Sequence, residues 1–293
     1  MSPIIIGLVL VSSFIHAIRD FITKKSGDKQ AFVLLYELSA VVIYFPLFVI
    51  VLFKELPINI SGVYIAFAAG IIHFFYWIFL TKSLHSGDLS HVYPIARAAP
   101  ALVLILSVVF LNEKVSFSGV SGILLVTTGI YLLHLKSFNS FSAIFEPIRS
   151  ISTHKASQYA FLTLLTVSFY SITDKIGVSY IHPILYLYLI NLSAIILFIP
   201  YVLMTKTKET ILNEWNNYKS KAILNGILVL GGYLLILIAF TMGKVSYITG
   251  LRQISIVFAV LLGGHILKEK HKNIRLIASF IIFLGAFLIS TAE

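Results

Sequence analysis

The stretch LHSGDLSHVYPIARAAPALVLILSVVFLNEK (84–114) aligns without a gap with FTMGKVSYITGLRQISIVFAVLLGGHILKEK (240–270), an offset of 156 residues. Nearer the N-terminus, LSAVVIYFP (38–46) aligns with LSAIILFIP (192–200) at an offset of 154. Such self-similarity between the halves of an apolar chain indicates two structural repeats, an arrangement that is typical of membrane transporters.

Composition indicates that the solvent of this chain is lipid. Charged residues make up 12% of the 293 residues and apolar residues 58%, whereas soluble proteins carry about 25% charged residues. The net charge of +10 is spread over short basic clusters between apolar runs, a placement that membrane topology explains better than nucleic-acid binding. The absence of Cys excludes disulfides and thiolate metal sites, and we expect neither a metal nor a cofactor.

Ten apolar runs reach or approach the about 20 residues that a helix needs to cross a bilayer. Period-two alternation is absent, so the chain is not predicted to form a barrel. The first run lacks a basic segment before it and a cleavage site after it, which predicts a retained helix. The predicted spans are 3–19, 31–53, 61–83, 89–111, 117–135, 157–174, 183–205, 221–242, 245–267 and 274–291.

Five spans per half is an odd number, so the second half enters the membrane in the opposite sense to the first. The predicted fold is therefore an all-α integral membrane protein with ten transmembrane helices, arranged as two inverted five-helix repeats. Residues 1–135 form the first repeat and residues 157–293 the second. Residues 136–156 join them as an interfacial linker, to which Phe138, Phe141 and Phe145 are suited.

Lys and Arg are distributed unequally between the two sets of loops. The loops after spans 1, 3, 5, 7 and 9 hold 16 of these residues, and the alternate loops hold four, which are Lys54, Lys114, Lys175 and Lys244. The positive-inside rule then places the first set in the cytoplasm and both termini outside.

The motif G-D-L-S-x-x-x-P (87–94), followed by N-E-K (112–114), resembles the EamA-type family of the drug/metabolite transporter superfamily. The resemblance covers nearly the whole chain, including the ten spans and the five-plus-five repeat. It implies a secondary carrier for amino acids, other small metabolites or drugs, with a cavity lined mainly by spans 3, 4, 8 and 9. Span 4 contains Pro94 where span 9 has Gly250, so the sequence does not support a proline bend in span 9.

Two arginines lie well inside predicted spans, Arg97 in span 4 and Arg252 in span 9. Even low estimates put an arginine at mid-membrane at ~2.5–3.5 kcal/mol, so each should face a cavity or a partner. A guanidinium binds two oxygens of a carboxylate or phosphate at once. We interpret both as substrate-binding residues; the alternative is that each is paired with a carboxylate or a helix carbonyl.

Aromatic and histidine side chains accompany these arginines and suit a cavity for an amphiphilic solute. Tyr93 lies four residues before Arg97 and shares its helix face. The alternative for each aromatic is ordinary helix packing or a place in the interfacial belt. The further predicted substrate-binding residues are His73, Tyr76, Trp77, His91, Tyr93, Tyr170 and Tyr247.

Glu37 lies inside span 2, and its repeat counterpart is Asn191. It is the candidate for carrying a coupling proton, or alternatively a fixed partner of Arg97 or Arg19. Other acidic residues are given structural roles. Asp20 and Asp174 are interpreted as interfacial, and Glu113 and Glu269 as helix-end anchors.

Enzymatic motifs and a P-loop are absent, so neither catalysis nor ATP-driven pumping is predicted. The predicted function is secondary active transport across the bacterial inner (cytoplasmic) membrane, with alternating access about a midplane site. The expected cargo is a small amphiphilic or zwitterionic metabolite, with amino acid export as first choice and protons as the candidate coupling ion. The alternatives are an organic-phosphate or other anion exchanger, a flippase for a lipid-linked head group, and a scaffold or enzyme subunit without carrier activity.

The charge bias predicts the location of the C-terminus. Alkaline phosphatase, which is active only outside the cytoplasm, should be active when it is fused after Glu293, and a fluorescent reporter that folds only in the cytoplasm should stay dark. The opposite pattern would reverse the predicted orientation.

Overall fold

The computed structural model of the protein describes residues 1–86, 89–134, 141–258 and 272–293, and within them the side chains of all but 84–86, 89–91, 93, 134, 141–144 and 272–276. The described residues are helical, with short connections and no β-strand. The helices are α1 (Pro3–Lys24), α2 (Lys29–Lys54), α3 (Ile60–Ser86), α4 (Leu89–Ala96), α5 (Ala99–Leu111), α6 (Phe117–His134), α7 (Phe141–Thr153), α8 (Lys155–Gly177), α9 (Pro183–Thr205), α10 (Lys208–Met242), α11 (Val245–Arg252) and α12 (Lys272–Thr291).

Six helical segments are long and apolar enough to cross a membrane. Two of the other predicted spans correspond to shorter apolar helices, Phe117–Leu133 and Ile277–Thr291. The span predicted over 245–267 leaves the described residues after 258, so the number ten remains a prediction. The six segments are Pro3–Lys24, Lys29–Lys54, Ile60–Ser83, Pro94–Leu111, Pro183–Thr205 and Lys208–Met242.

The two ends of the chain meet. The terminal ammonium group of Met1 donates hydrogen bonds to the carbonyls of Ser290 (3.1 Å) and Ala292 (2.8 Å). Both termini therefore lie on the same side of a membrane, which requires an even number of crossings between them.

The helices form two compact units that interleave the sequence halves. Unit 1 comprises Met1–Leu10, Phe75–Ile172 and Gly243–Glu293, and unit 2 comprises Val11–Phe74 and Thr173–Met242. Helices α1, α3 and α8 contribute residues to both units. Each unit therefore contains helices from both halves of the chain, because a helix buries its apolar face against whichever neighbour is complementary to it.

In unit 2, helices of one half cross helices of the other at glycines. A Cβ atom on Gly70 of α3 would lie 1.8 Å from the Ser193 hydroxyl of α9, and one on Gly226 of α10 would lie 2.7 Å from the Tyr36 carbonyl of α2. Gly70 and Gly226 are matched by the repeat offset of 156. The two crossings are thus equivalent, and at both of them the missing side chain lets the helices approach closely.

At one end of unit 2, polar contacts connect the turn before α2 to other helices. The Glu214 carboxylate accepts hydrogen bonds from the amides of Gly27 (3.1 Å) and Asp28 (3.0 Å), which lie in the turn before α2. Asp28 caps α2 by accepting from the amide of Ala31 (3.0 Å), and it also binds the Lys206 ammonium group. Burial raises the pKa of Asp28, but the Lys206 contact and the amide hydrogen bonds outweigh it and hold the pKa below its usual value.

In unit 1, glycines likewise allow α6 and α12 to pack closely against each other. A Cβ atom on Gly285 would lie 2.6 Å from the Gly122 carbonyl, and one on Gly129 would lie 3.0 Å from the Ala278 carbonyl. Gly129 matches Gly285 and Gly122 matches Ala278 at the offset of 156. The two close approaches of this interface therefore involve glycines and an alanine at matching positions of the two repeats.

The segment between the halves contains α7, which is one continuous helix although Pro147 lies inside it. Phe145 and Ile148 are exposed, while Ile151 packs on a cluster formed by α4 and α8. The interfacial position of this linker remains a prediction. The side chains of Phe138 and Phe141 lie outside the described residues.

The α6–α12 contact predicts the effect of a single methyl group. Gly285→Ala should lower the unfolding midpoint temperature of the detergent-purified protein, at a cost of about 1–3 kcal/mol, because the atoms it meets are backbone and the helices must move apart. Gly7→Ala is the matched control, since a Cβ atom there meets nothing within 4 Å. Equal midpoints for the two variants would contradict this account.

Candidate functional site

Two helices are interrupted at equivalent positions of the two halves. The span predicted over 89–111 is divided into α4 and α5 by a turn at Arg97 and Ala98. The helix that begins as α11 ends at Arg252, turns at Gln253 and becomes helical again from 254. Arg97 and Gln253 are matched by the offset of 156. The interruption of the second helix is a finding that proline content did not predict.

Each interruption places an arginine at the C-terminal end of a short helix. Arg252 is the last residue of α11, and Arg97 follows the last residue of α4; both side chains are half-buried. Carbonyl groups at a helix C-terminus carry partial negative charge, which stabilises a nearby cation by about 0.3–1 kcal/mol and up to ~2 kcal/mol when partly buried. The backbone therefore offsets part of the cost of holding these charges in an apolar region.

Gln253 adds a buried acceptor at the second interruption. Its side chain is 8% exposed, and its amide donates a long hydrogen bond to the Thr249 carbonyl (3.5 Å). Its Oε1 atom has no hydrogen-bond donor in the described part of the chain. An unsatisfied buried acceptor costs about 1–3 kcal/mol, so this oxygen is a candidate to receive a donor from a ligand. Sequence reasoning missed Gln253, although the repeat alignment with Arg97 could have identified it.

Tyr76 and Tyr170 contact each other in the described structure, and their role in lining a cavity stays a prediction. Their rings lie 5.5 Å apart at 78°, which is an edge-to-face contact between α3 and α8. Trp77 is buried next to Tyr76. All three belong to unit 1, as do Arg97 and Arg252. The side chains of His91 and Tyr93 lie outside the described residues.

Tyr247 contacts the end of the chain. Its hydroxyl accepts a hydrogen bond from the Ser116 amide (2.7 Å) and lies 3.3 Å from the Glu293 carbonyl. Nearby, the Glu113 carboxylate accepts from the amide of Val245 (2.6 Å) and the hydroxyl of Ser246 (2.6 Å). Glu113 thus caps α11, as expected of a helix-end anchor, and helps to fix the position of Arg252. Glu269 lies outside the described residues.

Glu37 contacts its own repeat counterpart. The Asn191 amide donates a hydrogen bond to Glu37 Oε2, and the side chains are 2% and 5% exposed. Glu37 and Asn191 both belong to unit 2, so the two repeats contact each other there at matching positions. The Oδ1 atom of Asn191 is buried and receives no hydrogen bond from the described residues.

His73 and Asp174 also belong to unit 2. Asp174 has a side chain that is 0% exposed and lies 3.8 Å from His73 Nε2, so it is buried within the protein rather than exposed at the interface. The hydroxyls of Tyr186 and Tyr233 donate to its two oxygens. The depth of Asp174 in the membrane remains a prediction, but its partners on other helices could not be inferred from the adjacent Lys175 in the sequence.

Comparison with known proteins identifies the family to which the chain belongs. The model of the EamA-like transporter family matches residues 3–135 and 154–291. The chain therefore belongs to the EamA-like transporter family, which confirms the resemblance found in the motifs. It is a multi-pass membrane protein with two EamA repeats, and the family points to a transporter of small molecules.

A solved crystal structure, described only as a protein, supports the fold. It covers 98% of this chain and 95% of its own, with a TM-score of 0.74 and 16% identity. At this identity the likeness shows a shared fold and carries no information about cargo. No curated protein matches the chain.

Proposed function

We propose that the protein is a secondary active transporter that exports a small amphiphilic or zwitterionic metabolite from the bacterial cytoplasm, with an amino acid as first choice. Two repeats alternate access to a site near the middle of the membrane. The observation that carries the proposal is the pair of interrupted helices at Arg97 and Gln253. In secondary transporters, discontinuous helices supply substrate and ion sites at the midplane.

The side chains at the interruptions support a zwitterionic cargo. A guanidinium of Arg97 or Arg252 would bind the carboxylate in a bidentate manner. The unsatisfied Oε1 of Gln253 would accept a hydrogen bond from the ammonium group of the same molecule. The Tyr76–Tyr170 pair and Trp77 would offer apolar surface to the rest of the solute. His73, His91, Tyr93 and Tyr247 remain proposed substrate contacts.

An exchanger of organic phosphates is the second candidate. It is supported by the presence of one arginine at each interruption, since two guanidiniums could share one phosphate dianion. Phosphorylated metabolites and plain amino acids therefore have to be compared in the same binding experiment. A flippase for a lipid-linked head group would require a ligand with acyl chains in that comparison.

Coupling to protons is proposed at Glu37. In its ionised form this carboxylate accepts from the Asn191 amide, while Asn191 Oδ1 is left without a donor from the described residues. A protonated Glu37 would supply an O–H donor to that oxygen. Protonation would thus complete the pair, and because the pair joins α2 to α9 it could alter how those helices pack.

Arg97→Ala should weaken binding of the cargo about 10- to 100-fold, the loss expected when a charge-assisted hydrogen bond of about 1.5–3 kcal/mol is removed. The measurement is a thermal-shift panel of amino acids, phosphorylated metabolites and drugs on purified protein, because a ligand that binds the folded state raises the midpoint.

Arg149→Ala is the matched control, since Arg149 is exposed on α7. If Arg97→Ala binds the stabilising ligand as well as the Arg149 control does, Arg97 has a structural role. If only phosphorylated compounds stabilise the wild type, the exchanger replaces the amino acid carrier.

Glu37→Gln should abolish uptake driven by a pH gradient in proteoliposomes while exchange of cargo at equal pH continues. The Gln amide permanently provides the donor that only a protonated Glu37 would provide, so the proton-dependent change is lost. Glu55→Gln, at an exposed carboxylate, should respond to the gradient like the wild type. An unchanged gradient response in Glu37→Gln would remove Glu37 from the coupling mechanism.

A further inference from the structure

The connection between the membrane-spanning parts of α9 and α10 contains a short helix that the hydropathy pattern did not predict. This connecting helix comprises residues 208–217, the first part of α10, and a kink at Tyr218 (φ −133°, ψ 15°) separates it from the apolar part of α10. The matching connection of the first half, residues 55–59, is not helical and contains neither Lys nor Arg. The connecting helix is therefore a feature of the second half and not of the repeat.

The connecting helix is fixed to the turn before α2. Glu214 is 5% exposed, and its carboxylate accepts hydrogen bonds from the amides of Gly27 (3.1 Å) and Asp28 (3.0 Å). Lys206, just before the helix, binds the Asp28 carboxylate. A Cβ atom on Gly27 would lie 2.7 Å from Glu214 Oε2, so the glycine allows the carboxylate to reach the turn. The charges of Asp28 and Glu214 are thus engaged within the protein.

Exposed lysines lie close in sequence to this attachment. Within the described residues none of their ammonium groups pairs with a carboxylate, although Lys25 and Lys221 lie over the rings of Phe21 (4.1 Å) and Tyr218 (4.9 Å). The connecting helix also carries one exposed carboxylate, Glu209. The surface charge here is therefore positive, and the five exposed lysines are Lys24, Lys25, Lys208, Lys219 and Lys221.

Exposed apolar side chains accompany these lysines. Leu203 and Met204, at the end of α9, are 53% and 87% exposed, and Leu212 of the connecting helix is 59% exposed. Lys208, Leu212 and Trp215 recur at i, i+4 and i+7, so they share one face of the helix. Tryptophan is enriched at the head-group level of membranes. This combination of cationic and apolar groups is typical of a helix that lies in the bilayer interface.

We propose that this basic surface, formed by the connecting helix and the turn before α2, binds the head groups of anionic phospholipids. The lysine ammonium groups contact the lipid phosphates, while Leu203, Met204 and Leu212 contact the nearest methylene groups of the acyl chains. A soluble anion such as inorganic phosphate would match only the lysines, and a neutral lipid would match the apolar side chains without satisfying the charge. An anionic lipid matches both.

The inference goes beyond the proposed transport function and does not depend on it. The surface lies at one end of unit 2 and contains none of the residues proposed to contact cargo or carry a coupling proton. A lipid bound to the connecting helix acts, through Glu214, on the turn before α2. Bound anionic lipid should therefore stabilise this end of unit 2, and its binding can be measured without cargo.

The fluorescence of Trp215 can report binding at this surface directly. The chain contains two Trp, so Trp77→Phe leaves Trp215 as the single indole. Phosphatidylglycerol with brominated acyl chains, titrated into this detergent-purified protein at low ionic strength, should quench the fluorescence. Phosphatidylcholine with the same brominated chains should require a mole fraction about 10-fold higher or more, and added salt should weaken quenching by phosphatidylglycerol because it screens the lysines.

In this background, Lys208→Gln together with Lys219→Gln should raise the mole fraction of phosphatidylglycerol for half-maximal quenching about 5- to 25-fold. A lysine near an anionic membrane surface contributes about five-fold in affinity. Lys54→Gln together with Lys114→Gln is the matched control and should bind like the background protein. These two lysines are also exposed and, in the described part of the chain, form no hydrogen bond or ion pair.

Leu212→Gln should also weaken quenching by phosphatidylglycerol, since it removes apolar contact and leaves the charge unchanged. The unfolding midpoint of each variant without lipid serves as the control for folding. Three results would overturn the lipid surface. These are equal quenching by the two brominated lipids, equal binding by the Lys208/Lys219 and Lys54/Lys114 variants, and inorganic phosphate that raises the unfolding midpoint as much as phosphatidylglycerol does, which would assign the lysines to a soluble anion.

Discussion

Lipid offers no hydrogen bonds, so every backbone amide and carbonyl within the membrane must find its partner inside the protein. This constraint explains why the described residues are helical and why the few places where a helix stops are chemically distinctive. At Arg97 and Gln253 the helical hydrogen bonds are interrupted within apolar sequence. Arginines lie at both carbonyl ends, where the charge of the side chain and the dipole of the helix favour each other.

The two repeats share the glycines of their helix packing but differ in their polar residues. Gly70 and Gly226 make equivalent helix crossings, and the α6–α12 interface is built from two symmetry-related close approaches. The polar residues differ between the halves: Glu37 corresponds to Asn191, and Arg97 to Gln253. Close packing requires the same short distance between helix backbones in both repeats. A binding site for a ligand or a proton, by contrast, needs different chemical groups on its two sides. We therefore expect the functional residues at positions where the two repeats carry different side chains.

Several features could be predicted from the sequence because they depend on local or periodic properties. Apolar runs predicted the helices of the membrane-spanning segments. The motif G-D-L-S-x-x-x-P followed by N-E-K predicted the family that the comparison confirmed. Glu113 was predicted as a helix-end anchor because of its place beside a loop, and it caps α11. The interruption at Gln253 was not predicted, since no proline marks it. The contacts of Asp174 were not predicted either, because its partners come from α3, α9 and α10.

The sequence by itself determined that the chain is a helical membrane protein made of two related halves, because hydropathy and self-similarity are properties of residue order. Only the tertiary structure decided that Glu37 touches Asn191, that Tyr76 touches Tyr170, and that Asp174 is enclosed by two phenols and an imidazole. These contacts depend on the rotation of each helix about its axis and on which neighbour it meets. Both are fixed by close packing among all the helices together, and no single segment encodes them.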